Sequence, residues 1–109
     1  MVTGHEAFGY LAARYGLTQV GIAGVNPEQE PSAKDLAAVA ETVRSVGVRT
    51  IYTETLVEPK FAQTVASSTG AKLAVLDPVE GITDASPGTD YLQVMRANLA
   101  ALRAGQQCS

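Results

Sequence analysis

Short runs of β-branched and apolar residues alternate with segments of helical period along the whole chain, and that alternation leaves few folds open. Val2 and Thr3 form only a strand stub. From Glu6 to Tyr15, Phe8, Leu11, Ala12 and Tyr15 fall on one helical face, and Gly16 reads as the C-cap. Leu17 to Ile22 reads as a strand. Ser32 with Asp35 three residues on is a near capping box, followed by a helical face of Leu36, Val39, Ala40 and Val43 up to Gly47. Val48 to Thr53 is a β-branched strand. Pro59 opens a helix whose apolar side is Phe61 and Val65 and which Gly70 closes. Leu73 to Leu76 is a continuous apolar run, as for a strand covered on both faces. After a Pro- and Gly-bearing loop, Thr89 caps a last helix with Leu92, Met95, Leu99 and Leu102 facing inward. The pattern predicts an α/β fold, (βα)4: a four-stranded parallel sheet flanked by helices on both faces.

The 109 residues suffice for one domain, and no repeat or linker divides them. Eight basic residues are scattered among eleven acidic ones, a net charge of −3, which excludes a nucleic-acid-binding surface built on clustered Lys and Arg. No run of about 18 apolar residues is present, so no membrane span is expected. His5 and Glu6 interrupt any apolar leader, so no signal peptide is expected within this chain. Cys108 is the only cysteine and has no partner for an internal disulfide; a free, dispensable thiol is expected there.

Ligands of open α/β sheets bind beyond the carboxyl ends of the strands. Those ends carry His5 after the first strand, Asn26, Glu28 and Glu30 after the second, Glu54 after the third and Asp77 after the fourth. An imidazole and carboxylates on one rim suit Zn²⁺ or Mn²⁺. The same residues suit ordinary roles: His5 can open a helix, Glu54 can be a solvated loop carboxylate, and Asp77-Pro78 can initiate a turn. The four tyrosines read as packing residues. Gly9 stands where a zincin helix needs its second His, and no nucleophile elbow, P-loop or dinucleotide fingerprint occurs.

Five segments nevertheless stand together. Gly4-His5-Glu6-Ala7-Phe8-Gly9-Tyr10-Leu11 with Arg14-Tyr15-Gly16-Leu17, then Gly24-Val25-Asn26-Pro27-Glu28-Gln29-Glu30-Pro31-Ser32, Tyr52-Thr53-Glu54, Leu76-Asp77-Pro78 and Asp90-Tyr91-Leu92 with Met95, Asn98 and Leu99 follow in order over nearly the whole chain. Together they resemble the C-terminal lobe of the zinc- and manganese-binding solute-binding proteins of ABC transporters (the cluster A-I metal-binding lipoproteins, some of the cell-adhesion type). The resemblance implies two α/β lobes joined by a long rigid helix, with the metal between them. Residues 1–109 would be the C-terminal lobe; the N-terminal lobe, its two histidines, the linking helix and the export signal are not in this sequence. It implies metal ligation by His5 and Asp77, with Glu54 orienting an imidazole. His5 in place of a glutamate favours zinc, with manganese as the alternative metal.

The implied activity is capture of the ion outside the cytoplasm, in the periplasm or at a lipid-anchored cell surface, and delivery to an ABC transporter permease, without catalysis. A metal-free α/β module that binds another polypeptide is the competing reading. An enzyme using His5 as base and Asp77 as its orienter is a third, lacking a nucleophile or cofactor signature. For the isolated lobe, the uncovered rim predicts weak metal binding and a homodimer, with metal shared between two His5–Asp77 pairs.

Overall fold

A computed structural model describes all residues except Val25, Pro27, Leu56, Val57, Cys108 and Ser109; the expectation for Cys108 thus lies outside the described residues. Four strands and four helices alternate: β1 (Val2–Thr3), α1 (Gly9–Tyr15), β2 (Val20–Gly21), α2 (Ala33–Val46), β3 (Thr50–Thr53), α3 (Lys60–Thr69), β4 (Lys72–Val75) and α4 (Tyr91–Gly105). The sheet is parallel throughout, in the order β2-β1-β3-β4, as the alternation predicts. The chain leaves β1 toward β2 on one side and crosses back to β3 on the other. The gap between β1 and β3 is therefore the topological switch point, where such sheets bind ligands.

Alternation along the strands divides the core. Val2 and Ile51 face α2 and α3, packing with Ile22, Val39, Ala40, Val43, Ala62 and Val65. Tyr52 faces the other way, toward Phe8 and Leu76, with Leu11 of α1 and Leu102 of α4 against them. Each fully buried Val, Ile or Leu side chain contributes about 1.5–3 kcal/mol, so these two clusters account for most of what holds the layers together.

The capping signals operate at α2. Ser32 Oγ accepts from the Asp35 N–H, and Asp35 Oδ2 accepts from the Ser32 N–H. Gly16, Gly47 and Gly70 end α1, α2 and α3 in the left-handed conformation, where a Cβ is costly.

Several expectations need correction. α1 begins at Gly9, not Glu6, because the segment after β1 is spent placing His5 and Glu6. β2 is two residues long, since only Val20 and Gly21 reach the ladder with Val2 and Thr3. α4 is capped by Asp90, whose carboxylate accepts from the Gln93 N–H, while Thr89 bonds the Gln93 side chain. β4 is an edge strand with Leu73 and Val75 exposed, so it is not covered on both faces. Only Tyr52 packs as the tyrosines were expected to; Tyr10, Tyr15 and Tyr91 are exposed.

The largest correction concerns α4. Val94 and Asn98 turn inward, whereas Leu92 and Leu99 are exposed. Small residues on the inward stripe allow close approach: a Cβ at Gly105 would collide with the Tyr52 ring hydroxyl. Met95, Leu99 and Leu102 line, with Leu11, Tyr15 and Leu17, an open groove of about 450 Å³. No helix among the described residues is long and apolar enough to cross a membrane.

Candidate metal centre

His5 lies two residues beyond β1 and is 2% exposed; Glu54 follows β3 directly and is 7% exposed. The parallel pairing of β1 with β3 brings these two strand ends side by side. Glu54 Oε1 lies 3.2 Å from the His5 backbone nitrogen and 2.6 Å from its Nδ1. An ionised Glu54 can only accept, so beside the carboxylate Nδ1 carries the ring proton. In the neutral ring Nε2 then keeps its lone pair.

Burial pushes the Glu54 carboxyl above its usual range, and the adjacent His5 pulls it back down. Its second oxygen, Oε2, is buried without a hydrogen-bond partner.

Nε2 points to Glu80, whose Oε1 is 3.6 Å away on a half-exposed side chain. That separation is too long for a hydrogen bond. It is close to the spacing of two donors on one metal: a tetrahedral zinc with ligands at about 2.0–2.2 Å holds its nitrogen and oxygen about 3.4 Å apart.

Asp77 is 1% exposed at the end of β4. Its carboxylate is occupied locally: Oδ1 accepts from the Val79 N–H at 2.7 Å and Oδ2 from the Thr55 hydroxyl at 3.4 Å. Its main chain is gripped by Asn98, whose amide accepts from the Asp77 N–H and donates to the Asp77 carbonyl. Val79 sits at a φ of 61°, a conformation β-branched residues rarely adopt, and the Asp77 carboxylate is what holds that turn. The turn brings Glu80 round to His5.

Of His5, Asp77 and Glu54, singled out from the sequence, the fold brings His5 and Glu54 into contact; Glu80, not singled out, stands beside them. The available signal was its place in the loop after β4, three residues beyond Asp77 and on the rim already singled out. Asn26, Glu28 and Glu30 serve elsewhere: Asn26 bonds the Glu28 N–H, and Glu30 pairs with Lys60 at 3.8 Å. No group of three or more His, Cys, Asp or Glu side chains placed to hold a metal occurs among the described residues.

The fold is thus a parallel α/β sheet with a buried histidine–carboxylate pair at its switch point and a second carboxylate facing the free ring nitrogen. The family described as "ZnuA: Zinc-uptake complex component A periplasmic" matches residues 1–105, and the chain belongs to that family. It is 48% identical over 104 residues to the zinc-binding protein AdcA of Streptococcus pyogenes serotype M6, covering 94% of this chain and 20% of that protein. It is 45% identical to the high-affinity zinc uptake system protein ZnuA of Bacillus subtilis, covering 94% of this chain and 33% of that protein. Its fold superposes on the laminin-binding protein Lmb of Streptococcus agalactiae, described as an adhesin with metal-transporting activity, with a TM-score of 0.87 and 45% identity over 96% of this chain and 40% of that one. The chain therefore spans a fifth to a third of these curated relatives and two-fifths of that structure.

Proposed function

We propose that residues 1–109 are the C-terminal lobe of an extracytoplasmic zinc-binding protein that captures the ion and hands it to an ABC importer. The lobe supplies one imidazole and one carboxylate, and the remaining donors come from an N-terminal lobe. The supporting observation is the geometry at His5: Nε2 is buried, freed by the Nδ1–Glu54 contact, and stands at metal-sharing distance from Glu80. Glu54 orients the ring and raises its basicity, as carboxylates behind ligating histidines do.

The resemblance assigns the carboxylate donor to Asp77. The geometry favours Glu80, because Glu80 faces Nε2 while Asp77 Oδ1 holds the turn and Oδ2 meets the Thr55 hydroxyl. An imidazole with a carboxylate suits zinc, and the zinc-binding names of the relatives favour it over manganese. The ion is cargo. Two donors from this lobe give a site that opens when the lobes part, as release to a permease requires.

The test is competition titration of the complete protein with zinc and with manganese against a chromogenic chelator. His5→Ala is expected to abolish tight zinc binding. Glu80→Gln is expected to weaken it severely, and Asp77→Asn only mildly. Wild-type affinity in His5→Ala refutes the reading, and manganese preferred over zinc refutes the choice of metal.

A further inference from the structure

Glu54 secures His5 at its backbone nitrogen and at its ring, but that contact cannot aim the imidazole unless the peptide on the other side of His5 is also fixed. The His5 carbonyl is the fixed point. It accepts the Thr3 hydroxyl at 2.6 Å, the Gln19 amide at 3.4 Å and the Ala7 N–H at 3.0 Å. The Gln19 amide also donates to Thr3 Oγ1 at 3.0 Å, so the two side chains act as one unit: Gln19 orients the hydroxyl, and the hydroxyl holds the carbonyl. Thr3 is fully buried, where an unpaired hydroxyl is costly and a paired one is rigid. Gly21, beside Thr3 on β2, lets the loop lie down on the strand: a Cβ there would collide with Glu6 Cγ and stand 3.0 Å from Glu6 N.

We propose that Thr3 and Gln19 form a second clamp on His5, a pair of positioning residues that hold its peptide plane and so aim Nε2 at the metal. This rests on the reading of His5 as a ligand. Neither residue touches the ion. Their effect passes through the backbone of His5, whose side chain must sit within about 0.5 Å of its productive position to ligate well.

Three variants test the clamp: Gln19→Leu, which keeps bulk at a half-buried position; Thr3→Val, which keeps shape and removes the hydroxyl; and Thr3→Ser, which restores it. Two readouts are taken beside the thermal midpoint: zinc affinity of the complete protein, and the imidazole NMR signal of the metal-free 109-residue chain, which comes from His5 alone because it is the only histidine in this sequence. Gln19→Leu and Thr3→Val are expected to weaken zinc binding about tenfold, the lower end of what outer partners of ligating histidines contribute. Both are expected to shift or broaden the imidazole signal, with the midpoint of Gln19→Leu essentially unmoved and Thr3→Ser close to wild type in every readout. Wild-type affinity in Gln19→Leu, alongside loss in His5→Ala, overturns the clamp. If His5→Ala itself binds zinc normally, the ligand reading has failed and the aiming role fails with it; the metal-free signal then separates the two failures: unchanged in Gln19→Leu it overturns the clamp as well, shifted it leaves Thr3 and Gln19 holding a His5 that does not meet the ion.

Discussion

His5 Nδ1 and Glu54 Oε1 lie 2.6 Å apart across the crevice between β1 and β3, the two strands from which the chain departs in opposite directions. The contact follows from topology: parallel pairing of Thr3 with Tyr52 sets the two chains level, and the residues two positions on, His5 and Glu54, meet. A buried imidazole held at one nitrogen leaves the other to serve a ligand, so the fold itself selects which atom is available.

Glu54→Gln tests that selection. The amide oxygen can still accept from Nδ1–H, so the metal-free thermal midpoint is expected to hold. The lost charge no longer raises the basicity of the ring, and zinc affinity in the complete protein is expected to fall about 10–100-fold. Unaltered affinity by competition titration removes Glu54 from the site.

Asp77 and Glu80 separate by the opposite signature. Asp77→Ala frees the Val79 N–H and releases a turn that depends on it, so the metal-free chain is expected to lose about 1–3 kcal/mol in urea unfolding. Glu80→Ala, at a half-exposed side chain, is expected to leave that stability within about 0.5 kcal/mol while metal affinity falls. The reverse pattern would make Asp77 the donor and Glu80 a bystander.

Asn98 ties α4 to the same turn. Its amide meets both main-chain groups of Asp77, at 2.9 and 2.7 Å, and the residue is 2% exposed. Asn98→Leu keeps the volume but leaves a buried N–H and C=O unpaired, at about 1–3 kcal/mol each. The expected result is a lower denaturation midpoint together with weaker zinc binding, as the Asp77–Glu80 turn drifts. An unchanged midpoint would mean that water replaces the amide.

That residue also shows what the sequence could not disclose. Periodicity found the four strands, α2 with its capping box and the inward run Val39, Ala40 and Val43, because each depends on neighbours close in the chain. It misassigned part of the face of α4: Leu92 and Leu99 are exposed, though Leu102 of the same stripe packs on the core, and the inward side is completed by Val94, a hydrogen-bonding Asn98 and Gly105. The rim residues His5 and Glu54 were legible from strand-end position. Glu80 was not, because its approach to His5 depends on a valine held at positive φ, which no local preference announces.

Acid provides a check on the capping box that is independent of metal. Hydrogen bonds from Ser32, and Lys34 nearby, hold the Asp35 carboxyl below its ordinary value of 3.8. A depressed folded-state pKa means stability that is present above that ordinary value and lost as pH falls through the folded one. The thermal midpoint of Asp35→Ala is therefore expected to lie below wild type at neutral pH, with the gap narrowing below about pH 3.8. A gap that stays constant through the acid range would show that the helix end does not depend on the ionised carboxylate.

The isolated 109-residue chain is expected to bind zinc weakly and to associate. It offers the ion His5 with one carboxylate, whereas protein zinc sites use three or four protein ligands. Its surface carries an outer strand, β4, with Leu73 and Val75 exposed, and an open groove flanked by Tyr15 and Leu99. Unpaired strand edges and contiguous apolar surface drive self-association. Light scattering should show a mass that rises above 11.3 kDa with concentration, in chelator as well as in zinc. Leu99→Glu should shift the equilibrium toward monomer if the groove carries the contact. Mass that rises only on zinc addition, and not in His5→Ala, would locate the contact at the metal rim instead. A strict monomer at every concentration in both conditions would refute the expectation.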